Sequence, residues 1–217
     1  MKYITYSLII TFIAGLALFN STGKGVSMPI SSTVETDKPT ALPTAYLAGG
    51  CFWCLESQVR ALEGVIFTQA GYQGGHTPSP TYQQVSSGST GHTEVVEVTY
   101  NPNIISYEEL ITFFLTKGHD ATQLNRQGVD KGTQYRSAIF YADADEKAIT
   151  EDVIAKINAS DYYKSAKVVT EIAPLNAHPF WLAEEYHQQY YEKYEASEGE
   201  THIRVKMKKK RAEFKAE

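Results

Sequence analysis

Two cysteines, Cys51 and Cys54, are the only thiols in the chain, and they stand three residues apart. Tyr46-Leu47-Ala48 reads as the end of a short apolar strand, and residues 52–62 read as a helix with Leu55, Val59 and Leu62 at helical spacing. Cys51 then falls at the first helical turn. Unpaired backbone N–H groups and the positive end of the helix dipole favour an anion there, which is one route to a reactive thiolate. A second sulfur three residues on is within reach of a disulfide once the turn adjusts. A thiol pair of this kind supports proteolysis, peroxide reduction, disulfide exchange or sulfoxide reduction, and its neighbours must select among them.

Phe52 and Trp53 lie between the two sulfurs. Their apolar surface suits a small uncharged group such as a methyl, each buried CH₂ contributing about 0.8 kcal/mol; ordinary packing of a helix on a core is the alternative. Further polar candidates stand at strand edges and in loops: Tyr82 after Pro80-Thr81, Glu94 at the end of Gly91-His92-Thr93-Glu94, and Asp130 and Tyr135 within residues 128–137. Taken singly, each also reads as surface or scaffold. Glu94 pairs with Arg136 on that view, and the two tyrosines are amphipathic edge residues. His76, His92, His119, His178 and His187 match no common zinc spacing and read as structural hydrogen-bonding groups. Tyr186, Tyr190, Tyr191 and Tyr194 recur at helical spacing and read as packing.

The elements that must position these groups follow from periodicity and breakers. After the first strand and helix, residues 64–70 read as a strand and residues 71–80 as a loop dense in Gly, Thr and Pro. The Val-rich alternation over residues 93–100 predicts a strand. Ser106 with Glu109 predicts a capping box opening a helix over 107–117, its stripe formed by Leu110, Phe113 and Phe114. A polar loop (118–132) leads to a strand (134–141), a long helix starting at Asp143 or Asp145, a strand (168–172) and an aromatic helix (180–194). This order predicts a two-layer α+β sandwich with a ferredoxin-like split β-α-β core.

The 217 residues are 42% hydrophobic and 21% charged, enough for one domain with a sizeable core, and two cysteines are too few for a disulfide framework. The net charge of −5 conceals an asymmetry: residues 204–217 carry seven basic and two acidic side chains, so the remainder is strongly acidic and does not read as a nucleic-acid binder. Lys2 followed by a short apolar run at residues 8–19 reads as an export signal or uncleaved anchor. We therefore divide the chain into a signal or anchor (1–26), a Ser/Thr/Pro-rich linker (27–43), a catalytic domain (44–196) and a charged basic tail (197–217). The expected location is outside the cytoplasm, periplasmic or membrane-anchored.

Five blocks in order sharpen the reading. Gly50-Cys51-Phe52-Trp53, Gly91-His92-Thr93-Glu94, His119-Asp120-Ala121-Thr122-Gln123, Gly132-Thr133-Gln134-Tyr135-Arg136-Ser137 and Ala183-Glu184-Glu185-Tyr186-His187-Gln188-Gln189-Tyr190 resemble the signature set of the A-type peptide-methionine sulfoxide reductases. The resemblance covers about residues 44–194. It implies an α+β sandwich and a thiol-dependent oxidoreductase that reduces the S epimer of methionine sulfoxide, free or in oxidised proteins and peptides, without metal or organic cofactor. By that resemblance Cys51 is the nucleophile and Glu94 the acid that protonates the departing oxygen. Tyr82 and Tyr135 hydrogen-bond that oxygen, Phe52 and Trp53 form the methyl pocket, and Asp130 binds substrate or holds the polar network. Many relatives carry Gly at position 54 and resolve with a cysteine in a C-terminal tail. This tail has none, so Cys54 is expected to resolve the Cys51 sulfenic acid as a disulfide recycled by thioredoxin or a thioredoxin-like donor. Ala121 replaces the usual proline and is expected to loosen its loop. Nothing demands more than a monomer. Two rivals stand beside this reading: a thioredoxin-type thiol–disulfide oxidoreductase, and a binding module with a static disulfide.

Overall fold

Alternation along the most Val-rich strand sets the architecture. The computed structural model describes residue 39 and residues 41–198; the expected signal or anchor segment, most of the expected linker and the tail beyond 198 lie outside them. Strand β3 (Thr93–Tyr100) is buried along its whole length. Val96, Val98 and Tyr100 face the main core, whereas Val95 faces a smaller cluster with Ala48, Ala138 and Phe140. Because side chains alternate with period two, Glu94 falls on the same face as Val96 and Val98.

Around β3 lie β1 (Thr44–Ala48), β2 (Val65–Gln73) and β6 (Ala138–Tyr141), with short edge strands β7 (Glu171–Pro174) and β8 (Trp181–Leu182). The order is β7-β6-β1-β3-β2-β8, antiparallel except where β6 meets β7. The four inner strands, β6-β1-β3-β2, have the expected split β-α-β arrangement: β3 runs antiparallel between β1 and β2, whose connection is helix α1 (Phe52–Val59). Helix α1 buries Phe52, Leu55, Glu56 and Val59, one stripe at 3.6-residue spacing. Helices α3 (Tyr107–Phe113) and α4 (Ala144–Ala159) send Tyr107, Leu110, Ile111, Val153 and Ile157 into the same core, forming the second layer. The Ser106–Glu109 capping box is present, and Asp143 caps α4 by accepting from the N–H groups of Asp145 and Glu146.

Several boundaries differ from the sequence reading, each for a tertiary reason. β2 continues through Gly71 to Gln73 because its ladder with β3 runs on to the Gln73–Thr93 pair, and the Phe180 ring occupies the space a Cβ at Gly71 would fill. A short helix α2 (Tyr82–Ser86), opened by a Thr81–Gln84 capping box, follows the glycine-rich loop. Helix α3 passes into a π-helical turn (Phe114–Gly118), where His119 Nδ1 donates to the Phe114 carbonyl at 3.0 Å. Within the polar loop, β4 (Arg126–Gln127) and β5 (Asp130–Lys131) form a small hairpin that carries Asp130. The strand expected from 134 begins only at Ala138, after a 3₁₀ turn (Thr133–Tyr135) held by the Thr93 hydroxyl on the Gln134 and Arg136 carbonyls. The strand expected at 168–172 starts at Glu171, since Val168 and Val169 donate their N–H groups to Asn158 and Ala121. The aromatic segment is not one helix: it enters β8, makes a 3₁₀ turn (Glu185–His187) and becomes helical only at α5 (Tyr190–Glu198). The Ala121 loop is fastened rather than loosened. Its N–H, which proline would lack, donates to the Tyr163 hydroxyl at 3.4 Å, and its carbonyl accepts from Val169 at 2.9 Å.

The turn from β1 into α1 depends on glycine. Gly50 has φ +80°, and a Cβ there would lie 2.6 Å from Cγ of Gln127. Gln127 cannot easily give way, because its carboxamide accepts from the Asp120 N–H and donates to the Asp120 carbonyl, both at 3.1 Å. Gly50→Ala is therefore expected to cost about 1–3 kcal/mol, from left-handed backbone strain plus the clash, and to lower activity by displacing Cys51. Urea unfolding beside a turnover assay checks this, and an unchanged unfolding midpoint would contradict it.

Candidate active site

Cys51 is the N-cap of α1, so its sulfur stands beside the first turn while its carbonyl accepts the Cys54 and Leu55 N–H groups at 3.0 and 3.2 Å. Phe52 N–H, one of those the helix leaves without an internal partner, donates to Oε2 of Glu94 at 2.9 Å. Sequence positions 42 residues apart thus meet because β3 begins beneath the start of α1. Glu94 is only 2% exposed. Burial pushes its pKa up to about 8; the Phe52 N–H pulls the other way, and the charges of Asp130 and Cys54 add to the rise. The carboxyl is therefore protonated in most molecules at neutral pH. Arg136 does not pair with it: Nε donates to Glu171 at 2.8 Å, and Nη1 to the Gly91 and Thr133 carbonyls at 3.1 Å.

The sulfur itself differs from the helix-start expectation. The Cys54 side chain, then burial, then the Glu94 charge raise the Cys51 thiol above its ordinary range, and the Cys54 N–H opposes them only in part. Both cysteines are half-buried thiols, not a disulfide. The helix start alone does not make Cys51 a thiolate here, because a second sulfur and a carboxyl share its surroundings.

Tyr82 and Tyr135, both half-buried, are held above the ordinary phenol range first by burial and next by Glu94, with Asp130 and Cys51 also contributing. The fold therefore brings Cys51, Cys54, Glu94, Tyr82, Asp130 and Tyr135 within electrostatic reach of one another. Tyr82 is delivered by the start of α2, where its N–H donates to Oε1 of Glu184 at 2.9 Å. The other oxygen of Glu184 accepts from the Tyr72 hydroxyl at 2.8 Å.

The aromatic wall is larger than the sequence suggested. Phe52 is 1% exposed and packs on Tyr72 and His187 at ring distances of 5.9 and 4.9 Å. Trp53 is half-buried, stacks on Tyr190 at 3.8 Å and 9°, and donates its indole N–H to Nδ1 of His187 at 3.0 Å. That bond places the imidazole proton on Nε2, 3.8 Å from Oε2 of Glu184. The His187 ring also touches Tyr82 at 4.6 Å and Tyr186 at 4.1 Å. Burial lowers its pKa, so it is neutral at pH 7. Tyr186 and Tyr190, read from spacing as packing residues of one helix, instead reach the site from a 3₁₀ turn and from the start of α5.

Sequence reasoning also passed over what fixes this wall. Gln188 donates to the Ala70 and Ala183 carbonyls and accepts from the Ala70 N–H, standing in for a strand neighbour of β2. Buried Glu56 accepts from the Thr68 hydroxyl and from Gln189 N–H, both at 2.9 Å, tying the start of α5 to α1. Only the Glu184-Glu185-Tyr186-His187-Gln188 block hinted at this. The Ala70 partner of Gln188 lies 118 residues away, and local spacing carries no sign of it.

Known proteins resemble this chain in sequence and in fold. The family model for peptide methionine sulfoxide reductase matches residues 43–217. The peptide methionine sulfoxide reductase MsrA of Natronomonas pharaonis is 48% identical over 150 residues, covering 69% of this chain and 82% of that protein. The structure of methionine sulfoxide reductase A of Corynebacterium diphtheriae superposes with a TM-score of 0.63 at 38% identity, over 71% of this chain and 76% of the other. Mxr1 of Saccharomyces cerevisiae in its reduced form gives 0.65 at 34% identity, over 76% and 91%.

The raised Glu94 pKa has a consequence for stability. The folded state keeps that proton up to about pH 8, whereas an unburied glutamate loses it near 4.5, so stability declines as pH rises across this interval. Glu94→Gln removes that share of the decline. It is expected to be more stable, relative to the parent, near pH 9 than near pH 5, as read by urea unfolding; the same difference at both pH values would contradict a buried neutral carboxyl.

Proposed function

The chain belongs to the peptide methionine sulfoxide reductase family, and on that premise we propose how its residues divide the work. The enzyme reduces the S epimer of methionine sulfoxide to methionine. The observation that carries the mechanism is the buried, proton-bearing Glu94 hydrogen-bonded to the N–H next to Cys51.

In the proposed course, the S-methyl group enters between Phe52 and Trp53, and the sulfoxide oxygen meets Glu94, Tyr82 and Tyr135. Glu94 gives its proton to that oxygen as Cys51 sulfur attacks the sulfoxide sulfur, and the thiol proton of Cys51 restores Glu94. This exchange suits a resting thiol, since no prior ionisation is required. The tyrosine hydroxyls, protonated at neutral pH, polarise the S–O bond. The hydroxyl then passes to Cys51 sulfur: the methionine sulfur gains two electrons, the cysteine sulfur loses two, and a sulfenic acid remains. Asp130, near Glu94 and both tyrosines, reinforces the neutral state of the acid. Cys54 displaces the hydroxyl as water to give a Cys51–Cys54 disulfide, which a thioredoxin-like donor reopens by exchange. The neutral His187 ring orients Trp53 through its indole N–H, shaping the methyl site.

The two rival readings lose their support, since the chain matches the peptide methionine sulfoxide reductase family over residues 43–217. Export remains a proposal supported by the apolar run at residues 8–19; fractionation of the native host, with the enzyme found outside the cytoplasm, would test it.

Purified enzyme with dithiothreitol is expected to turn over the S epimer of a chromophoric methionine sulfoxide and leave the R epimer, and no turnover of the S epimer would sink the proposal. Glu94→Gln should lower the rate about 10²–10⁴-fold, the usual contribution of a positioned acid. Parent activity in the first step should fall as pH rises past about 8, where Glu94 loses its proton. Cys54→Ser should still yield one methionine per chain but lose recycling by a thioredoxin-like donor; full recycling would refute Cys54 as resolver.

A further inference from the structure

Tyr191 lies on the second residue of α5 and is 6% exposed. Its hydroxyl stands 3.4 Å from Sγ of Cys54, across 137 residues of sequence. The placement is firmly held. Gln189 N–H is bonded to Glu56, two residues beyond Cys54 on α1; Gln188 is locked to β2; and Tyr190 is stacked on Trp53. A phenylalanine would fill the same core position, and a buried hydroxyl needs a partner to offset its desolvation. The partner it has is the sulfur that the sequence reading assigns to disulfide formation. The mechanism above uses Tyr82 and Tyr135 but leaves Tyr191 without a role.

We propose that Tyr191 serves the resolving half of the cycle: its hydroxyl holds Cys54 in place and, by donating a hydrogen bond, favours the Cys54 thiolate that attacks the Cys51 sulfenic acid. This deepens the function proposed above and rests on Cys54 being the resolver. In the step, Cys54 releases its proton and its sulfur lone pair forms the S–S bond to Cys51. The S–O bond of the sulfenic acid breaks, and the hydroxide leaves as water with the proton released. Cys54 sulfur is oxidised by one electron equivalent and Cys51 sulfur reduced by one. Tyr191 keeps its own proton throughout, consistent with burial and then the Cys54 contact raising its ionisation well beyond the ordinary phenol range. When a thioredoxin-like thiolate later attacks Cys51 sulfur, the bond electrons pass to Cys54, and the same hydrogen bond stabilises the departing thiolate. The titratable groups that face this pair are Cys51 at the start of α1, Glu94 on β3 and Tyr190 on α5. Glu94, neutral below about pH 8, adds no charge against the Cys54 thiolate over that range.

The test mixes the fully reduced full-length chain with excess methionine S-sulfoxide and no reductant, then follows methionine and thiols by rapid quench across pH. Tyr191→Phe should leave the methionine burst unchanged but slow thiol loss about tenfold or more, the weight of one hydrogen bond to a charged group. Sulfenic acid should accumulate, and the pH profile of disulfide formation should move upward. Unchanged disulfide formation with an unmoved pH profile would overturn the proposal. If Tyr191→Phe also loses the burst through misfolding, fluorotyrosine at 191 decides, since it keeps the packing and makes the phenol a stronger donor. A profile moved to lower pH supports the role, and an unmoved one overturns it. The resolver reading is judged apart from this by Cys54→Ser: if that variant recycles fully, the reading falls and the Tyr191 proposal with it.

Discussion

A carboxyl kept out of water is the constraint on which this molecule turns. Glu94 begins the core-facing row of β3, and its carboxyl accepts from the Phe52 N–H at the start of α1. A helix normally offers that N–H to solvent, a cap or an anion. Here it meets an acid whose burial outweighs the hydrogen bond and leaves it neutral. Much of the surrounding fold serves to keep that pairing in register: the Gly49-Gly50 turn that brings Cys51 alongside, the β1–β3 ladder beneath it, and the apolar stripe of α1 that fixes the helix on the sheet.

The same constraint explains why the nucleophile differs from the simple helix-dipole picture. An amide-rich helix start would favour thiolate, but Cys51 shares a low-dielectric space with a second sulfur and with Glu94. The site is poised around protons rather than around a fixed negative charge. A neutral thiol, a neutral acid and two phenols can exchange hydrogen bonds with a dipolar sulfoxide without first assembling a buried ion, which would be costly to desolvate.

The C-terminal segment converts this half-site into a walled one. Glu184 holds Tyr82 and Tyr72, His187 holds Trp53, Gln188 completes the edge of β2, and Glu56 receives the start of α5. Each tie uses a polar side chain against a distant backbone or ring, so the wall rests on directional hydrogen bonds as much as on apolar burial. Tyr190 and Tyr191 then sit on either side of the cysteine turn, one against Trp53 and the other against Cys54.

By itself the sequence determined the α+β class, the split β-α-β core, the Ser106 cap, a helix opening at Asp143 or Asp145 and the cysteine-bearing helix start, because alternation, 3.6-residue spacing and capping chemistry act between near neighbours. Cys51, Glu94 and Tyr135 stand within the five short blocks and Cys54, Tyr82 and Asp130 outside them, all six named because residue type records chemistry. Tertiary structure alone decided that Arg136 turns to Glu171 rather than to Glu94, and that residues 180–194 break into strand, turn and helix. It also decided that burial keeps both Glu94 and Cys51 protonated, and that Tyr191 reaches Cys54. Those outcomes depend on solvent exclusion and on contacts between residues 35 to 137 positions apart, and one-dimensional spacing holds no record of either.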